Sequence, residues 1–137
     1  MKYLIQGIKD GYIDMIGTDH APHTEEDKKN GSPGISNIEV AFGMVNKVFS
    51  ENGISLNKLS EMMSLNPAKL LGLNQGLIEE GLRADLVLIN PDCDEVIDTE
   101  KFTSKGKNNP FDKQKIVGKV LMTIRNGKIM YDIKGDM

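Results

Sequence analysis

Gly17-Thr18-Asp19-His20-Ala21-Pro22-His23 decides how this chain is read. It follows Ile13-Asp14-Met15-Ile16-Gly17, a short apolar run that predicts a buried strand. It opens a stretch from Thr18 to Ser36 that has no periodicity and carries Pro22, Gly31, Pro33 and Gly34. That stretch predicts a long loop, with the charged run Glu25 to Lys29 as a solvated face. In a parallel α/β barrel the C-terminal strand ends face the active site. An aspartate there can bind a metal ion through one oxygen and take a proton from metal-bound water, whose pKa the metal lowers to about 7. Asp19 is the candidate for that role. It also suits an ordinary loop aspartate that hydrogen-bonds nearby amides, and His20 and His23 suit ordinary loop histidines. Asp-His-x-x-His alone is a weak metal motif, because Pro22 forbids the helix interior of a zinc-protease signature. Pro33-Gly34 reads either as a simple turn or as backbone that approaches a ligand and offers an N–H.

Upstream, Tyr3, Leu4 and Ile8 lie at helical spacing and Gly11 is a stop. Downstream, Ile38, Ala41, Phe42, Val45 and Phe49 predict a helix from Asn37 to Asn52, with Ser36 or Asn37 as its cap. Ser55 opens a second helix through Leu56, Leu59, Met62 and Met63. Asn66 caps a third that begins at Pro67, where proline is tolerated, and ends at Gly72. Met44, Met62 and Met63 share apolar faces and read as core. The character changes near Asn74. Ala84 to Asn90 predicts a strand, and Val120 to Ile133 a hairpin around Asn126-Gly127, the dipeptide favoured in a type I′ turn. Thr103 to Lys115 is polar.

The 137 residues suit one ordinary domain with a real core. With 39% hydrophobic and 27% charged residues the chain reads as globular rather than disordered. A net charge of −3 and a pI near 5.4 argue against nonspecific nucleic-acid binding. The longest apolar run, Leu86 to Ile89, is far too short to span a membrane. One cysteine, Cys93, excludes an internal disulfide and a cysteine-based zinc site, and a cytoplasmic location is the default expectation.

Thr18-Asp19-His20-Ala21-Pro22-His23, Ser32-Pro33-Gly34-Ile35, Glu39, Asn66-Pro67-Ala68-Lys69-Leu70-Leu71-Gly72-Leu73 and Gly81-Leu82-Arg83-Ala84-Asp85-Leu86, in this order, resemble the C-terminal part of the dihydroorotases. These belong to the amidohydrolase superfamily. Ser104-Lys105 and Asn109-Pro110-Phe111 resemble the polar stretch before the family's final strands. The Asn-Pro-Ala and Gly-x-x-Ala-Asp-Leu pieces are shared with hydantoinases, allantoinases and related deaminases. The Asp-His-Ala-Pro-His piece is sharper and resembles the dihydroorotase and allantoinase branch.

The resemblance implies an α/β fold. It would be the C-terminal fragment of a metal-dependent (β/α)8 barrel hydrolase followed by a small β-rich sandwich portion. Residues 1–74 would be the last barrel strand and the helices after it, and residues 75–137 the β-rich share of the sandwich. Asp19 would be metal ligand and general acid/base. His23 would contact the substrate, Pro33 and Gly34 would line it through backbone groups, and His20 would be structural. The implied cofactor is zinc, one or two ions in the complete enzyme. The implied reaction opens dihydroorotate to N-carbamoyl-aspartate, reversibly, in pyrimidine synthesis. Allantoinase, hydantoinase, or a non-catalytic partner of aspartate carbamoyltransferase are the alternatives.

The family's His-x-His pair, its bridging lysine or aspartate, and its later metal histidines have no counterpart among these residues. A complete barrel takes about 250 residues. The expectation is therefore a piece of an enzyme, inactive by itself and weak or lacking in metal binding. Uncovered strand edges should drive self-association, strand exchange or rearrangement of residues 1–20.

Overall fold

A computed structural model describes residues 1–135. Helix α1 (Lys2–Lys9) buries Ile5 and Ile8 and leaves Tyr3 and Leu4 in solvent. The expected strand at Ile13 to Gly17 does not form. The run is extended but in no ladder, and its hold on neighbouring elements is local: the Ile16 N–H donates to Met62 O at 3.1 Å, and Asn66 Nδ2 donates to Asp14 O at 2.7 Å. A strand needs a second strand to satisfy its backbone, and the described residues offer this run none.

The loop from Thr18 to Ser36 folds back on itself and contains one short helix, α2 (Glu25–Lys29). Thr24 and Asp27 cap it reciprocally, so the charged run is helical although every residue of it but the half-buried Lys28 is exposed. Helix α3 (Ala41–Glu51) starts four residues later than the spacing predicts. Asn37 does not cap it. Its N–H is taken by His20 Nδ1 at 3.1 Å, and its Nδ2 donates to Thr18 O at 2.5 Å, which draws the predicted first turn into the loop.

The next two predicted helices are one continuous element. α4 (Leu56–Ser60), capped by Ser55, passes through a π-helical segment (Glu61–Leu65) into α5 (Asn66–Leu70). Asn66 is therefore inside the element and caps nothing. Its N–H bonds Glu61 O, five residues back. In that register Pro67, which has no N–H, would leave Met62 O without a partner, and Ile16 supplies one. The proline thus opens the site at which the unpaired apolar run is held.

Strands β1 (Leu86–Val96), β2 (Lys115–Arg125) and β3 (Lys128–Asp132) form an antiparallel sheet in that order. β1 runs beyond the predicted end at Asn90 through an irregularity around Pro91, which is tolerated because β1 is an edge strand. The β2–β3 hairpin turns at Asn126 (φ 50°) and Gly127 (φ 73°), the left-handed pair that a type I′ turn requires. Asp85 accepts from the Asn126 N–H at 2.7 Å and from Arg83, and the Gly127 N–H reaches Ala84 O at 2.9 Å, so the turn is tied to the start of β1.

Helix α3 joins two apolar clusters. One holds Ile8, Phe49, Leu59 and Met62; the other holds Val40, Ile97, Phe102 and Ile116. Met62 is fully buried, and Met63 and Met44 pack against the two clusters, as the helical spacing predicts. Buried Asn46 fastens α3 to the sheet by donating to Pro91 O at 2.8 Å and Val117 O at 2.9 Å.

Candidate active-site loop

The two ends of the loop are brought together by backbone pairing. His20 and Ile35 form an isolated parallel bridge, and the Ala21 N–H donates to Ile35 O at 3.0 Å. His20 turns its ring onto the start of the α3 segment. Its Nδ1 accepts from the Asn37 N–H at 3.1 Å and the Ile38 N–H at 3.3 Å. An Nδ1 that accepts is unprotonated, so a neutral ring carries its proton on Nε2. This gives His20 a scaffold role and leaves Nδ1 closed to any other ligand.

Asp19, between the extended run and the bridged histidine, has φ 46°. The left-handed region is uncommon for residues with a side chain, although aspartate tolerates it. The Asp19 side chain is exposed and makes no hydrogen bond among the described residues, so it is not a capping aspartate. The surrounding contacts hold its backbone while its carboxylate stays free. Backbone held in a sparsely used region against its own preference is a common feature of functional sites.

His23 is half-buried, and its backbone lies against Gly106. A Cβ at that glycine would come within 2.7 Å of His23 O and 2.9 Å of His23 N. His23 also lies near Asp27. That carboxyl is held below the usual carboxylate range, first by the Thr24 hydroxyl and the Thr24 N–H and last by the nearby imidazole. Gly34 has φ 116°, and a Cβ there would meet Ala21 Cβ and Ala21 O at 2.6 Å, so both conformation and space require glycine. Its carbonyl points inward, accepting from Asn108 Nδ2 at 2.7 Å and Lys28 Nζ at 3.0 Å. Pro33 beside it is exposed. Asp19, His23, Pro33 and Gly34 therefore share one folded loop.

The residues that hold this loop from behind are Glu39, Asn108 and Asn109; the family resemblance marks Glu39 and Asn109 without giving them this role, and nothing in the sequence assigns one to Asn108. The Glu39 carboxylate accepts from the N–H groups of Thr103 and Ser104 at 2.9 and 3.0 Å. Asn109 Nδ2 donates to Ser36 O at 2.6 Å. The signal available was two adjacent asparagines in a polar stretch, since side-chain amides bond backbone groups readily.

The described residues do not fit a metal centre by themselves. No group of three or more His, Cys, Asp or Glu side chains among them converges on a point where an ion could sit. Asp19 offers one oxygen ligand, where a bound divalent ion needs several donors.

Of two cavities, only the smaller lies beside the loop. One of about 170 Å³ is lined by Ile16, Thr18, Asn37, Ala41, Met44 and Phe111. The larger, about 550 Å³, lies between α4 and the sheet, away from Asp19. Among the described residues no helix is long and apolar enough to cross a membrane.

The pattern of the amidohydrolase family matches residues 2–130. A protein named dihydroorotase from Clostridium botulinum (strain Eklund 17B / Type B) is 54% identical over 129 residues, which is 93% of this chain and 32% of that protein. Another from Caldanaerobacter subterraneus subsp. tengcongensis is 47% identical over 133 residues, 93% of this chain and 31% of that one. Among solved structures, L-hydantoinase (dihydropyrimidinase) from Arthrobacter aurescens matches with a TM-score of 0.86 at 31% identity, covering 94% of this chain and 31% of that one. Dihydropyrimidinase from Brevibacillus agri NCHU1002 matches with a TM-score of 0.88 at 26% identity, covering 96% of this chain and 31% of that one. The chain spans about a third of the length of the relatives it matches. A family match that runs from one end of α1 to the middle of β3 leaves one conclusion: this chain belongs to the amidohydrolase family.

Proposed function

We propose that this chain supplies the C-terminal third of a dihydroorotase and carries its acid/base loop. The observation that carries the reading is the 54% identity to a protein of that name over 93% of the chain. The exposed, unbonded carboxylate of Asp19 on a left-handed backbone supports it. In the reaction, water adds to the ring amide carbonyl of dihydroorotate, a C–O bond forms and the ring C–N bond breaks. Asp19 takes the proton from the attacking water and returns it to the departing ring nitrogen, giving N-carbamoyl-aspartate. The reverse reaction closes the ring by the same transfers. His23 and the backbone around Pro33 and Gly34 hold the substrate. Zinc, as one or two ions, completes the site with donors supplied by the rest of the enzyme, Asp19 adding one oxygen.

Residues 1–74 belong with the barrel and residues 75–137 with the small β-rich portion, a division supported by the change from helices, the last ending at Leu70, to strands, the first beginning at Leu86. The free thiol of Cys93 suits a cytoplasmic enzyme. Alone, the chain self-associates through edge strand β1, where Val87 and Leu88 are exposed. A strictly monomeric species in light scattering at high concentration counts against that.

The test is a fusion of the N-terminal two thirds of the Clostridium botulinum dihydroorotase to this chain. It is expected to convert dihydroorotate to N-carbamoyl-aspartate, and Asp19→Asn is expected to lower kcat by at least about 10²-fold. The structural likeness to hydantoinases supports a second reading, a cyclic-imide hydrolase. Turnover of hydantoins or allantoin without dihydroorotate would favour that class. Turnover of none of them would reject both.

A further inference from the structure

The Asp19 carboxylate makes no hydrogen bond among the described residues, and its backbone sits in the left-handed region at φ 46°. Asn37 and Ile38 hold its two neighbours directly, and behind them a second set of contacts traces to one distant residue. Asn108 grips the chain on both sides of Ile35. Its side-chain Nδ2 donates to Gly34 O at 2.7 Å, and its main-chain carbonyl accepts from the Ser36 N–H at 2.9 Å. Ile35, so bracketed, is the residue that bridges to His20 and accepts from the Ala21 N–H at 3.0 Å. His20 is the immediate neighbour of Asp19. A single side chain 89 positions further along is thus two bonded steps from the backbone that aims the carboxylate.

The segment around Asn108 is built to deliver it. Glu39 ties down Thr103 and Ser104, Gly106 permits the close approach to His23, and Asn109 fixes Ser36 from the other side. Asn108 Oδ1 is buried without a protein partner among the described residues, so the amide is held by its donor. A plain packing role would not need that polar group at that depth.

We propose that Asn108 is a positioning residue for Asp19, acting through Gly34, Ser36 and the Ile35–His20 bridge. The proposal rests on the reading of Asp19 as the acid/base group. It differs from a structural role in what it predicts for catalysis. A misplacement of about 1 Å far from the chemistry can cost about 10²-fold in rate. Substrate binding by other groups should change little.

Two measurements test it. In the 137-residue chain, Asn108→Ala, which removes the bond to Gly34 O but keeps the main-chain bond to Ser36, should speed amide hydrogen exchange at Ala21 by at least about tenfold, while the β2 amides hold their rates. In the fusion described above, Asn108→Ala should lower kcat by about 10- to 100-fold with KM within about threefold. Asn108→Leu, branched at Cγ like asparagine and larger but without the donor, should behave the same, which guards against a collapsed loop. Unchanged exchange at Ala21 would overturn the proposal. So would faster exchange with kcat within about twofold of the parent, or a rise in KM alone, which would point to substrate lining by Gly34. A parent fusion that opens no cyclic amide defeats the functional reading and the catalytic half of this proposal together. An active parent with an unaffected Asn108→Ala defeats the positioning role alone.

Discussion

Ile13–Gly17 and Val120–Ile124 are both short apolar runs that read as strands, but only the second is one. Val120 lies in β2, whose hairpin partner β3 follows two residues after it ends, and β1 pairs on its other edge. Ile13–Gly17 has no such neighbour among the described residues and is held by two borrowed hydrogen bonds, one at Met62 O and one from Asn66. The difference lies in supply. An apolar run states how a segment would be buried, whereas a ladder requires a second segment to answer its backbone groups. Where that second segment is local in the chain, the run becomes a strand. Where it is not, the run stays extended and unpaired.

The largest effect should appear in hydrogen exchange. In this chain alone, the Met15 and Gly17 amides should exchange within about tenfold of unfolded-peptide rates, while paired amides of β2 should be slower by at least about 10³-fold. In the fusion to the N-terminal two thirds of a relative, Ile13–Gly17 should gain protection approaching that of β2. Strong protection of Met15 in the lone chain would break the comparison, because it would reveal a partner strand this account lacks.

A smaller effect concerns what holds the unpaired run. Met62 has no exposed surface and sits where the π-helical segment offers its carbonyl to Ile16. Met62→Ala should cost about 2–5 kcal/mol by urea unfolding, through lost burial and the cavity left behind. Met130, 64% exposed on β3, should change stability by no more than about 0.5 kcal/mol when replaced by alanine. Comparable losses at the two sites would mean that the sheet face of Met130 is covered in solution.

Whatever depended on local partners was legible in the sequence. The Asn126-Gly127 turn and the Ser55 cap are each settled within a few residues of themselves. The start of α3 and the role of Asn66 were not, because His20 and Asp14 compete for Asn37 and Asn66 from 17 and 52 positions away. The same holds for the site. Asp19, His23, Pro33 and Gly34 stand out by type and order, while Glu39, Asn108 and Asn109 do their holding across 64 to 74 positions. A polar loop gives no sign of which distant carbonyl its amides will find.

The hairpin offers a finer test, since its register rests on its turn. Gly127 has φ 73°, where a side chain costs about 1–2 kcal/mol. Gly127→Ala should lower stability by about that amount and loosen β3 first, because β2 keeps its pairing with β1. The Ile13–Gly17 region should not respond. A change there would mean that the two apolar clusters unfold as one unit.

The smallest effect is in pH, and it should be confined to the hairpin. Asp85 is held below the usual carboxylate range, first by its hydrogen bond from Arg83 and next by the Asn126 N–H that it accepts. A carboxyl whose folded value lies below its unfolded value of about 3.9 adds stability that is fully present above pH 4. That stability is lost as pH falls through the lowered folded value. The loss should fall on the turn, because Asp85 is what joins Asn126 to the start of β1. Asp85→Asn should therefore be less stable than the parent at pH 7, and the gap between them should close as pH is taken from 4 towards 2. Ile13–Gly17 is held through the backbone carbonyl of Asp14 and the N–H of Ile16, neither of which titrates. Its exchange rates, corrected for the intrinsic effect of pH, should stay level over the same range. Acid loosening of that run before the hairpin would show that a carboxylate, and not the carbonyl of Asp14, holds it in place.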